Sequence, residues 1–418
     1  MKKTVTALLF FVLFLSLSAQ DVEYARKMID TLTSPYYAGR GAVDRGELKA
    51  AKFIAAEFER LGLEKAGESY FQNYKYPVNV FPGEMHVSID GTPLKPGYDF
   101  LVSPYSESVE GTFPVVWYNK DNLPSAKAFA KLKKKDFFRN KAVVIDTKDM
   151  DTQSEVVKNI LQNTIGASLI VEIKDKLTWS PSPFYAPFAG IEILREKIKR
   201  GAQKISVNIE AQFMPKHLAK NVLGYVKGTQ QPDSFLVITA HYDHLGKMGK
   251  ETYFPGANDN ASGVSMLLSL AKYFSKHPLK YSVLFIAFSG EEAGLQGSKY
   301  YTEHPVVPLE KMKFLINLDL VGTGEEGIKV VNGAVLTDAF NRLVSINEKK
   351  QYLPAVKKRG KAANSDHYFF FEKGVPSFFI YTLGGPDAYH DVYDKPETLP
   401  LTEFEDLEHL IIDFYQSF

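Results

Sequence analysis

The chain has no cysteine. Disulfides, thiolate zinc sites, cysteine nucleophiles and a lipidated cysteine are therefore excluded, and any metal must be held by imidazole and carboxylate. Charge of one sign is lacking too. The formal net charge is +1, which removes the bulk electrostatic case for nucleic acid or an anionic membrane as partner. Beyond the N-terminus no stretch is long and apolar enough for a membrane span. There is no G-x-S-x-G elbow, no Walker loop and no G-x-G-x-x-G after a strand, so those hydrolase and nucleotide-binding classes have no signature here. Internal repeats and low-complexity segments are also missing. What is present is an ordinary globular composition, 45% apolar and 24% charged over 418 residues. That is enough for one large domain with an insertion, or for two domains.

The N-terminus reads as a secretory signal over 1–19. Lys2 and Lys3 precede an apolar run at 7–17, and Ser18-Ala19-Gln20 supplies small residues for cleavage after Ala19. A mature protein outside the cytoplasm, secreted or periplasmic, is expected. Residues 20–72 read as helices. Over 48–61, Ala51, Ile54, Ala55, Phe58 and Leu61 share one face, with Gly62 as C-cap. From 73 to 215 strand-like runs dominate, at 74–81, 85–89, 112–118, 142–145, 168–172 and 206–213. Helical patterns at 156–164 and 192–200 lie among them. Lys131, Lys133, Lys134 and Lys135 form a basic cluster that reads as a solvated surface. This segment is expected to be a separate β-rich domain. From 216 to 418, apolar strands at 223–226, 235–240, 282–288, 314–320 and 376–381 alternate with helical patterns at 264–274, 292–303, 335–347 and 402–415. Continuous apolar strands alternating with helices predict an α/β sheet covered on both faces.

In open α/β sheets, ligands bind beyond the carboxyl ends of the strands. Here the run at 235–240 ends at His241 and Asp243, and the helix that follows begins just after Asp259. The run at 282–288 ends at Ser289-Gly290-Glu291-Glu292. Asp319 stands near the end of the next run, and Tyr389-His390-Asp391 follows the last. Each residue has a bland reading by itself: a polar loop histidine, a helix N-terminus favoured by its dipole, a cap. Together they place a carboxylate or an imidazole on one rim five times. Burying that much acid without a cation costs several kcal/mol per unpaired carboxylate, and bound metal is the simplest compensator.

The segments AHYDHLG, GANDNASG, FSGEEAGLQGS, NLDLVG and YHDVYD, in this order and spacing, resemble the M28 family of zinc aminopeptidases over roughly 221–418. The Ala38-Gly39-Arg40 loop resembles that family's N-terminal lead-in. The resemblance implies a phosphorylase/hydrolase-like three-layer α/β/α catalytic domain with a mixed sheet. It also implies two zinc ions (Zn2+) per chain: His241 and Asp319 on one, Glu292 and His390 on the other, Asp259 bridging both. Glu291 would be the general base on a water between the metals. Asp243 would be an acceptor holding the His241 ring, and the Asp259-Asn260 peptide would be cis. His367 and Tyr389 would border the substrate cleft, while His244 is assigned no metal role. The segments at 141–146, 165–171 and 187–191 resemble a protease-associated (PA) domain inserted before the metal-binding core. The expected activity is removal of N-terminal residues from peptides with a free N-terminus. Other M28-like activities (carboxypeptidase, dipeptidase, glutaminyl cyclase) and a non-catalytic peptide-binding relative are the alternatives.

Overall fold

The computed structural model describes residues 22–418, and the signal expected at 1–19 lies outside them. Among the described residues no helix is long and apolar enough to cross a membrane.

Two eight-stranded sheets organise the chain. The first is mixed. Its centre is four parallel strands, in the order Tyr281–Phe288, Gln231–His241, Met312–Leu318 and Ser377–Thr382. Antiparallel Gln212–Val226 and Phe71–Val80 extend one side, and Ile328–Val331 followed by Val356–Lys358 extends the other. The parallel strands are mostly apolar along their buried stretches because both of their faces are covered. Leu236, Ile238 and Ala240 join one buried cluster with residues of the Gly46–Arg60, Gly263–Lys276 and Phe404–Gln416 helices. Val237, Leu284, Ile286 and Leu315 point the other way, toward Tyr301 and Phe370. The period-2 alternation thus feeds two cores, giving the expected three layers.

The second sheet runs Thr92–Leu94, Met85–Ile89, Lys204–Ile209, Val109–Tyr118, Ala142–Ile145, Leu169–Lys174, Gly190–Leu194 and Phe100–Val102. Its larger core includes Leu245, Met248, Phe254 and Val392, which belong to the loops around the rim of the first sheet. The two sheets therefore share buried apolar surface next to the site.

Local pattern and structure differ in identifiable places. The run at 206–213 is two strands: Lys204–Ile209 ends in the second sheet, and Gln212–Val226 begins in the first. Residues 73–80, grouped by sequence with the insertion, pair with that second strand and so extend the first sheet. The helix predicted over 192–200 is instead the strand Gly190–Leu194 followed by a short turn at Arg195–Lys197. Ile191 and Ile193 are buried there, and pairing with Leu169–Lys174 and Phe100–Val102 overrides the helical spacing. The lysine cluster lies on an unpredicted helix, Ala126–Lys134, whose N-cap Ser125 accepts from Ala128 N and which buries only Phe129. The helix expected to begin at Glu292 begins at Gln296. Gly294 and Leu295 adopt positive φ first, which frees the preceding acidic pair to face the rim.

Candidate metal centre

The carboxyl ends of the parallel strands deliver the residues the sequence singled out. His241 is the last residue of its strand, and Asp319 follows the end of its own. Glu291 and Glu292 sit in the turn after Tyr281–Phe288. Asp259 lies in an irregular turn, Ala257–Ser262, with the expected cis peptide to Asn260, just before the Gly263–Lys276 helix.

Asp259 stands in the middle. His241 Nε2 is 3.4 Å from Asp259 Oδ1 and 3.4 Å from Asp319 Oδ1. His390 Nε2 is 3.1 Å from Asp259 Oδ2 and 3.1 Å from Glu292 Oε2. Four ligands arranged tetrahedrally at about 2.05 Å from one ion stand about 3.3 Å apart, so the histidine–carboxylate edges of both triads have the length a zinc-sized cation would give. Asp319 Oδ1 is buried without a hydrogen-bond donor, as an oxygen reserved for a cation would be. Glu291 joins neither triad. It lines a cavity of about 400 Å3 together with the ligands, Leu320, Phe379, Tyr381 and Tyr389.

A surrounding set of hydrogen bonds holds these groups. Ser365 Oγ donates to Asp319 Oδ2 at 3.1 Å, which leaves Oδ1 for the ion. His244, assigned no role from sequence, donates from Nδ1 to Glu292 Oε1 at 2.7 Å and so leaves Oε2 facing His390. His244 is also close enough to Asp259 and Glu292 to complete a triad of its own. Its Nδ1 is engaged by the Glu292 oxygen opposite the one that faces His390, while its Nε2 is buried without a hydrogen-bond partner. Asp394 accepts from Asn258 N at 2.8 Å and from Asp259 N at 2.9 Å. It lies inside the YHDVYD segment, four residues after His390, and that proximity was its only sequence signal.

Two expectations change. Asp243 does hold the His241 ring, but through its backbone carbonyl: Nδ1 donates to that oxygen at 3.1 Å, whereas the carboxylate Oδ1 is 3.8 Å away. The Asp243 carboxylate instead accepts from Glu291 N at 3.2 Å and Glu292 N at 3.3 Å, which aims the acidic pair. His367 does not border the site. It is buried behind Phe379, with ring centroids 5.4 Å apart, and faces a separate small cavity. Burial holds its pKa down at about 4. Tyr389 does line the site and stacks on His390 at 4.0 Å.

Arg40, from the lead-in loop, is fully buried beneath this rim. Its guanidinium donates to five backbone carbonyls: Tyr242 at 2.8 Å, Leu32 at 3.1 Å, Pro255 at 2.7 Å, Gly256 at 2.7 Å and Asp259 at 3.3 Å. Gly39 lets this loop approach. A Cβ there would meet Gly246 O at 2.4 Å, on a backbone of φ +65.

The electrostatics call for added positive charge. Asp243, Asp259, Asp319, Asp366 and Asp394 are buried with Arg40. Burial disfavours charge on His390, yet Glu292 and Asp259 outweigh it and raise the pKa to about 11. His241 is likewise raised well above its usual value, with Asp319 and Glu291 overcoming burial. Metal removal therefore has a predictable pH signature. Burial raises Asp366 and Asp394 to about 7, against ~3.9 for aspartate in an unfolded chain. Between those values the folded metal-free protein binds more protons than the unfolded one, so its stability falls as pH rises. The raised histidines act in the same direction. Glu292, pulled well below its usual value against burial by His390 and His244, acts in the other. Chelator-treated protein is expected to melt at least ~5 °C lower at pH 8 than at pH 5.5, by differential scanning calorimetry, with the difference suppressed by added zinc. A metal-free melting temperature that rises over this interval would contradict the charge balance described here.

Comparison with known proteins agrees with this geometry. Residues 221–415 match the profile of Peptidase family M28. This part of the chain belongs to peptidase family M28. Aminopeptidase YwaD of Bacillus subtilis (strain 168) is 27% identical to this chain over 386 residues, covering 87% of this chain and 76% of that protein. A probable zinc metalloprotease of Pyrenophora tritici-repentis (strain Pt-1C-BFP) is 37% identical over 113 residues, 26% of this chain and 23% of the other. The solved structure of BSAP, a zinc aminopeptidase from Bacillus subtilis, superposes with a TM-score of 0.70 at 20% identity over 94% of each chain. The chain therefore shares its fold with that structure over most of its length.

Proposed function

We propose that this protein is an exported di-zinc aminopeptidase with a PA-like inserted domain, the signal at 1–19 directing export. The observation that carries the reading is the position of Asp259, whose two oxygens face two different histidine–carboxylate pairs. That is what a carboxylate shared by two cations requires. His241 and Asp319 would hold one ion, and Glu292 and His390 the other. When bound, the two ions would acidify the attacking water and stabilise charge developing on the scissile carbonyl.

The chain's own residues supply the rest. Glu291 lines the cavity outside both triads, so its carboxylate is free to take the proton from the attacking water and return it to the leaving amine. Leu320, Phe379 and Tyr381 offer an apolar wall for the first side chain of the peptide, and half-exposed Tyr389 stands among the lining residues. The lining holds carboxylates and no lysine or arginine. It therefore suits a free α-amine and lacks a cation for a C-terminal carboxylate, which favours aminopeptidase over carboxypeptidase action.

Aminoacyl-arylamides with a free amine are expected to be cleaved at least ~100-fold faster than their N-acetylated forms, in keeping with the loss of about 3 kcal/mol when a recognised charged group is blocked. Metal analysis of the same preparation is expected to find about two zinc ions per chain. Equal cleavage of blocked and unblocked substrates would defeat the aminopeptidase reading, and a single retained ion would defeat the di-zinc one.

A further inference from the structure

Four of the five proposed ligands are held by their own domain. His241 and Asp319 lie at strand ends, Asp259 is pinned by Asp394, and Glu292 by His244. His390 differs. It follows an exposed loop, Gly384 to Asp387, and its backbone has φ +53, a left-handed conformation that is strained for a non-glycine residue. What holds it comes from the inserted domain, some 210 residues earlier in the chain.

Three contacts run from the segment after the Leu169–Lys174 strand to this loop. Lys176 Nζ donates to Asp387 O at 2.9 Å, and Trp179 N donates to His390 O at 2.9 Å. Ser180 Oγ lies 3.1 Å from His390 Nδ1. Trp179 is itself locked in place. Its Nε1 donates to Val102 O at 2.7 Å, and its ring stacks on Phe254 at 5.3 Å. Ser180 therefore projects from a rigid anchor. With Nε2 on a zinc ion, Nδ1 would carry the ring proton and donate it to Ser180 Oγ. An imidazole held this way has one tautomer and one ring orientation.

We propose that Ser180 is a positioning residue for His390, and that the inserted domain thereby completes the second half of the metal centre. The inference rests on the reading of His390 as a zinc ligand. Without Ser180 the ring can rotate about its side-chain torsions or adopt the other tautomer, and the loop provides no other acceptor for Nδ1. Among the described residues no hydrogen bond or ion pair is seen from Ser180 to His241 or Asp319, so the first half is expected to be unaffected.

The test is competition for zinc between a chromophoric chelator and the full-length protein, comparing wild type, Ser180→Ala and Ser180→Thr. Wild type is expected to retain two ions. Ser180→Ala is expected to lose one of them at chelator strengths where wild type keeps both, with that ion weakened about 10–100-fold. Ser180→Thr keeps the hydroxyl and is expected to restore retention to near wild type. The metal-free melting temperatures of all three are expected to agree within ~2 °C, because Ser180 packs no core. Unchanged zinc retention in Ser180→Ala overturns the proposal. So does failure of Ser180→Thr to rescue, which would assign the effect to packing. A wild type that retains a single ion or none overturns the di-zinc reading itself, and this inference with it. Two ions in wild type with identical variants would overturn this inference alone.

Discussion

Glu291→Gln is expected to lower kcat by about 10²–10⁴-fold while the protein keeps the same metal content. Glu291 contributes to neither metal triad, so its replacement removes no ligand. Glutamine preserves size and polarity, so KM is expected to stay within a few-fold, and the loss falls on the proton transfer. The environment explains why this carboxylate suits the role. Burial raises its pKa well above the usual glutamate value; His241 opposes, and Glu292, Asp366 and Asp319 reinforce the rise. A raised pKa makes a stronger base once a cation keeps the group ionised. The same burial supplies an independent readout. Removing this buried carboxyl is expected to raise the metal-free melting temperature at pH 8, where wild type must either bury the charge or take up a proton on folding. A kcat within tenfold of wild type at full metal loading would remove Glu291 from the chemistry.

Arg40→Met is expected to yield little folded protein. The substitution leaves the carbonyls of Leu32, Tyr242, Pro255 and Asp259 without this donor, while Gly256 O keeps the amide of Ala261 at 3.2 Å. It also withdraws a buried positive charge from beneath the acidic rim. Burial lowers the Arg40 pKa to about 10 against the pull of Asp394 and Asp259, so the side chain remains charged at neutral pH. Each stranded buried carbonyl costs about 1–3 kcal/mol. Four of them reach the scale of a whole domain's stability, about 5–15 kcal/mol. Arg40→Lys keeps the charge but has three donors in place of five in a fixed fork, so an intermediate melting temperature is expected, at least ~5 °C below wild type. If Arg40→Met melts within ~2 °C of wild type, the guanidinium does not hold these loops together.

Much of the centre was legible because its geometry is local to strand ends. A buried parallel strand is a continuous apolar run, and a polar residue where the run stops must lie on the rim. That logic located His241, Asp319 and the Glu291–Glu292 pair before any contact was known. It failed where an outcome depends on which atom of a residue faces which neighbour. Asp243 offers a carbonyl and a carboxylate within one residue, and only the turn geometry assigned the first to His241 and the second to the amides of Glu291 and Glu292. His367 sits in a polar segment like the others, yet its helix turns it behind Phe379. Residues 192–200 carry apolar spacing that satisfies a helix, and the neighbouring strands imposed extended backbone on the first part.

The sequence by itself determined the chemistry available. With no thiol in the chain, histidines and carboxylates recurring at the ends of apolar runs can hold only a metal that accepts nitrogen and oxygen ligands. Only the tertiary structure decided which oxygen faces which histidine, that His244 bonds Glu292, and that Ser180 reaches His390 from the segment after a strand of the second sheet. Periodicity reports which face of its own element a residue occupies. It carries no information on contacts between segments some 200 residues apart, which exist only once apolar burial has packed the two sheets against each other.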